Sequence, residues 1–104
     1  MPRYITLVNY TDKGVEEIRQ SKARVEVAKV ALSSMGAKLI DYYMMMGPWD
    51  LVIISEVPDD LTAARAQLLN EFKGHARTET YRLFDKDEYD EILASMPADR
   101  DRNE

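Results

Sequence analysis

Residues 47–54 read Gly47-Pro48-Trp49-Asp50-Leu51-Val52-Ile53-Ile54, and this stretch decides the fold. Glycine admits positive φ and proline holds φ near about −65°, so Gly47-Pro48 marks a turn. Four aliphatic residues then follow without a polar break. Successive side chains of a strand point to opposite faces, so this strand is apolar on both. In a chain of 104 residues, helices can cover one face of a sheet. The other face needs a separate cover, most simply a second copy of the chain.

Working outward, Ala37 to Met46 is the strand entering the turn and Trp49 to Val57 the strand leaving it, a β-hairpin. Upstream, Arg3-Tyr4-Ile5-Thr6-Leu7-Val8-Asn9-Tyr10 is a first strand, β-branched and aromatic on both sides of the pleat. Thr11 or Asp12 caps a helical stretch in which Ile18, Val25, Ala28, Leu32 and Met35 form one apolar stripe. Gln20-Ser21-Lys22 interrupts that stripe and predicts a kink or break, and Gly36 predicts the stop. Downstream, Pro58-Asp59-Asp60 precedes a second amphipathic helix with Leu61, Ala64, Leu68, Leu69 and Phe72 as its core face. Gly74 ends it, and a last strand runs from about His75 to Phe84. Asp85-Lys86-Asp87-Glu88 opens a short helix with Tyr89, Ile92, Leu93 and Met96 on one side. The expected plan is α+β, a ferredoxin-like β-α-β-β-α-β domain over residues 1–96, with a four-stranded antiparallel sheet and a short C-terminal helix. Residues 97–104 are expected to be a charged, flexible tail.

Charge and composition narrow the function classes. Residues 1–84 carry 11 acidic and 11 basic side chains, so the whole net charge of −5 comes from residues 85–104, with 8 acids and 3 bases. Without a basic cluster, nucleic-acid binding is excluded as the expected role. There is no cysteine, which removes disulfides and thiol nucleophiles. No apolar run reaches the roughly 20 residues of a membrane span, and Met1-Pro2-Arg3 leads straight into a strand, so a cytoplasmic protein without membrane contact is expected.

These residues together resemble a known family. Gly47-Pro48-Trp49-Asp50-Leu51-Val52, then Glu56-Val57-Pro58-Asp59-Asp60, is similar to the signature of the GYD-domain proteins, small bacterial proteins named for a Gly-Tyr-Asp motif. Asn9-Tyr10-Thr11-Asp12-Lys13-Gly14 and Arg77-Thr78-Glu79-Thr80 extend the likeness over residues 3 to about 95. Trp49 stands where the family has tyrosine. The resemblance implies ferredoxin-like subunits joined through their sheets into a dimeric α/β-barrel, and it implies no particular activity. The hairpin also resembles that of the small-molecule-binding domain of leucine-responsive bacterial regulators, and quinol-type and antibiotic-biosynthesis monooxygenases share the plan. A shared fold does not by itself assign function.

Few residues can carry chemistry. His75, the sole histidine, shares period-2 spacing with Arg77, Glu79 and Tyr81, which predicts all four on the open face of the sheet. There His75 could exchange a proton, Arg77 bind a carboxylate, and Glu79 orient either. The plainer alternative is a structural Arg77–Glu79 ion pair with His75 at a strand end. Tyr42, Tyr43 and Met44-Met45-Met46 make a soft wall, read either as a ligand surface or as subunit packing. Trp49 could close over a cavity mouth, and Asp50 reads as a backbone acceptor. No Gly-rich phosphate loop, metal-ligand cluster or nucleophile elbow is present, so no cofactor or metal is expected. Two functional readings follow. One is a non-catalytic homo-oligomeric domain with a small-molecule cleft between sheet faces. The other is a cofactor-independent dimeric-barrel enzyme, monooxygenase- or isomerase-like, acting on a small aromatic or acidic substrate through His75 or Glu79.

Overall fold

The structure, a computed structural model, describes residues 1–98. Strand β1 (Arg3–Tyr10) leads into a short helix α1 (Asp12–Glu16), a 3-10 turn (Ile18–Gln20) and helix α2 (Ser21–Ser34). Strands β2 (Lys38–Met44) and β3 (Leu51–Glu56) are followed by α3 (Asp60–Glu71), β4 (Ala76–Leu83) and α4 (Lys86–Ala94). The four strands form one antiparallel sheet in the order β2-β3-β1-β4, as the ferredoxin-like plan requires. The two strands that are apolar on both faces, β1 and β3, are the central ones. No helix among the described residues is long and apolar enough to cross a membrane.

Each junction follows from local chemistry. The Thr11 hydroxyl accepts from the Gly14 amide and starts α1. The chain then breaks where the polar interruption predicted, which leaves Ile18 exposed rather than in the core stripe. Past the break, α2 buries Val25 and Leu32. It stops at Gly36, whose φ of +76° lets the Ala37 amide donate back to the Leu32 carbonyl at 2.9 Å. The hairpin between β2 and β3 is wider than the sequence suggested, a loop from Met45 to Asp50. Asp50 serves as the expected backbone acceptor: its carboxylate takes the Tyr10 amide at 2.9 Å, and its own amide donates to the Val8 carbonyl at 2.9 Å. The loop is thus fastened to β1 instead of closing as a tight turn.

The core lies between the sheet and one helical layer. Tyr4, Leu32, Ala37, Val57 and Ala63 form one cluster; Val8, Val25, Leu51 and Ile53 form another, and Leu39 packs against both. The phase of α3 corrects the expectation. Thr62 and Ala63 are buried and Ala66 packs on the core, while Leu61, Leu68 and Phe72 are 72%, 66% and 71% exposed. Small residues let α3 approach Tyr4 and Val57 closely, and the Asp59 cap on the Thr62 amide at 2.8 Å sets the rotation. Leu61 and Leu68, seven residues apart on α3, therefore form an outward stripe. Helix α4 starts in a reciprocal cap between Asp85 and Glu88, and Arg82 pairs with Glu88 at 2.9 Å. Its Tyr89, Ile92, Leu93 and Met96 all remain exposed. Of the expected tail, Pro97 and Ala98 are exposed, and residues 99–104 lie outside the described residues.

The buried Tyr4 hydroxyl donates to the Asp60 carboxylate at the start of α3. Burial, with that bond, pushes the phenol up to about 12 from 10.0. Its contribution to stability is complete below pH 10 and is lost as the pH climbs from 10 towards 12, because only the unfolded phenol ionises in that interval. Tyr4→Phe should cost about 1–2 kcal/mol at neutral pH and flatten the alkaline limb of a stability curve measured by urea titration.

Candidate functional site

The open face of the sheet is a grid that the strand registers define. One row across it runs Asp41, Ile54, Ile5, Tyr81, and the next runs Tyr43, Val52, Leu7, Glu79. The four central aliphatic side chains are half-buried only by their own neighbours, with no helix above them. At each edge a tyrosine hydroxyl donates to a carboxylate two residues away on the same strand. Tyr43 donates to Asp41 at 2.8 Å on β2, and Tyr81 donates to Glu79 on β4. Hydrogen bonding to these carboxylates raises both phenols above their ordinary value. The face is an apolar quartet between two tyrosine–carboxylate pairs. The row on the other side of Ile5 and Ile54 has at its centre the ion pair of Arg3 with Glu56 at 3.3 Å.

The other side of the sheet holds a cleft that the sequence did not reveal. It encloses about 410 Å³ between α2, α3 and the sheet. Val8, Leu51 and Ile53 floor it, Val25 and Ala28 form one wall, and Leu69 and Phe72 form the other. One end is polar, with Tyr10, Glu17, Ser21, Arg24, Lys73 and His75. That end is stitched together by backbone contacts: the Thr11 amide donates to the His75 carbonyl at 3.1 Å, and Lys13 Nζ donates to the Lys73 carbonyl at 3.0 Å.

The expected site residues therefore divide between two surfaces. Arg77, Glu79 and Tyr81 are exposed on β4 and Tyr43 is exposed on β2, all on the open face. Trp49 is half-buried in the hairpin loop. His75 is the correction. It precedes the strand, lines the helix-side cleft, and places Nε2 at 3.5 Å from Glu17 Oε1. Strand alternation does not reach it, because its carbonyl is held by Thr11 in the loop that leads into β4. Arg77 and Glu79 do not form the alternative ion pair either, since Glu79 is taken by Tyr81. Among the described residues no group of three or more His, Asp or Glu is placed to hold a metal ion.

A family model, the GYD domain, matches residues 4–93. The chain belongs to the GYD-domain family. This GYD protein is 33% identical over 81 residues to a Thermus thermophilus protein named glutamine synthetase and cystathionine beta-lyase binding protein. The match covers 77% of this chain and 85% of that one. Its fold is similar to the crystal structure of TTHA0845, also from Thermus thermophilus, with a TM-score of 0.52 at 20% identity over 82% of this chain and 95% of that chain. That likeness supports the α+β architecture of the GYD protein.

Proposed function

We propose that this GYD protein is a self-associating, non-catalytic binding module. Two copies close their open faces into a dimeric α/β-barrel, and the outer helices of the barrel dock on other proteins. The apolar quartet of Ile5, Leu7, Val52 and Ile54 carries this reading, since a sheet face of that composition calls for a cover. The scatter of acid–base groups supports the non-catalytic part. Of the two acid–base candidates, His75 lies in the helix-side cleft away from the open face, and Glu79, which is on that face, is already bonded to the Tyr81 hydroxyl.

The docking surface fits the outward stripe of α3, where Leu61 and Leu68 stand exposed one above the other. The relative's name, which records binding to two metabolic enzymes, points to partners of that class. In biolayer interferometry the protein should bind glutamine synthetase or cystathionine β-lyase of its own source. Leu61→Asp and Leu68→Asp should each weaken that binding by about tenfold or more. Failure of the wild type to bind either enzyme would contradict enzyme docking while leaving self-association to its own test.

A further inference from the structure

Arg24 is a half-buried cation beside the helix-side cleft without a carboxylate partner among the described residues. Its guanidinium is half-buried and donates to two backbone carbonyls, Glu17 O at 3.0 Å and Gly14 O at 3.4 Å. Among the described residues no carboxylate lies within ion-pair distance of it, for Glu17 turns its own carboxylate towards His75. Carbonyl partners orient a guanidinium without cancelling its charge, and they leave N–H groups unused. Lys73 adds a second cation at the same end, against the one carboxylate of Glu17. Beyond this end the lining is mostly apolar, interrupted by Asn70 and Thr78, and Leu69 and Phe72 stand exposed at the lip. The volume of about 410 Å³ falls within the usual span of small-molecule sites, about 300–1,000 Å³.

We propose that this cleft binds a small amphiphilic carboxylate. Its acid group would pair with Arg24, and its alkyl or aryl body would lie between α2 and α3 on the sheet. The arrangement offers what such a ligand needs: a fixed planar donor at one end, and apolar surface that water covers poorly along the rest. The end that holds Arg24 is rigid before any ligand arrives. Gly14, whose carbonyl orients the guanidinium, is wedged against the His75 backbone, so little ordering is required on binding. The site lies on the opposite side of the sheet from the dimer face, so it stands or falls independently of self-association.

Calorimetry and thermal shift on the full chain test this with octanoate, indole-3-propionate and the neutral isostere octanamide. At least one acid should bind saturably and raise the melting temperature, and octanamide should bind octanoate's site about tenfold or more weakly. Arg24→Gln should lose acid binding by a similar factor while keeping its circular dichroism spectrum. Should that variant not fold, Ala28→Trp, which fills the cleft from α2, decides the matter by abolishing binding. Absence of saturable acid binding to the wild type would overturn the proposal, as would equal affinity for octanamide or unchanged binding to folded Ala28→Trp. Dissociation of the oligomer by Ala28→Trp would overturn it too, assigning the cleft to a second copy of the chain.

Discussion

Ile54→Asp should convert the protein into a folded monomer. Ile54 lies directly between Ile5 on β1 and Asp41 on β2, at the centre of the open face. In a closed barrel the new carboxylate would be buried against a second sheet without a cation in its row, and Asp41 would add repulsion. An unpaired charge buried in this way costs about 3–5 kcal/mol, which raises the dissociation constant by at least about a hundredfold. In the single chain the same position faces away from both helices, so the core of Val8, Val25, Leu51 and Ile53 stays intact. Size-exclusion chromatography with light scattering should show loss of the dimer, and far-UV circular dichroism should show the secondary structure retained. Ser33→Asp, exposed on α2, should change neither. An Ile54→Asp variant that remains a dimer would place the interface elsewhere.

The second large effect should come from Gly14→Ala. Gly14 is buried at the start of the helical layer. A Cβ there would fall inside the van der Waals envelope of the His75 carbonyl oxygen and lie 3.1 Å from its carbonyl carbon and 3.2 Å from Tyr10 Cβ. Neither segment can step aside cheaply. The Thr11 amide is bonded to that same carbonyl oxygen, the Thr11 hydroxyl donates to the Gly74 carbonyl, and Lys13 holds the Lys73 carbonyl. Opening the stitch breaks these bonds together. The expected loss is about 3 kcal/mol, or a melting temperature lower by roughly 12–24 °C, read by differential scanning calorimetry. A shift of only a few degrees would show that the junction between α1 and β4 yields more easily than its bonds indicate.

The strands were legible because their alternation is strong. Arg3–Tyr10 was bounded correctly, and the stretch Leu51 to Ile54 fell in a central strand, apolar on both faces. Arg77, Glu79 and Tyr81 on the far face followed from the same alternation. His75 failed because that rule was carried one residue past the end of β4 into a loop whose direction Thr11 sets. The face of α3 failed for a different reason. A helical wheel favours the largest apolar residues as the core side, and it does not record that Ala63 and Ala66 allow a closer approach to the sheet. The outward Leu61 and Leu68 are an apolar stripe whose partner is not in the chain's own core. The cleft was hidden because a gap between two helices has no sequence pattern of its own. Its one trace was Gln20-Ser21-Lys22, the polar interruption at which the helical layer breaks and Ser21 and Arg24 come to line the cleft.

Sedimentation equilibrium of the unmodified protein at micromolar concentration tests self-association through the open sheet face most directly. A species of at least twice the 12.0 kDa chain mass, with no resolvable monomer, is the predicted result. A well-folded species at 12.0 kDa would contradict it, for it would show that Ile5, Leu7, Val52 and Ile54 remain in water.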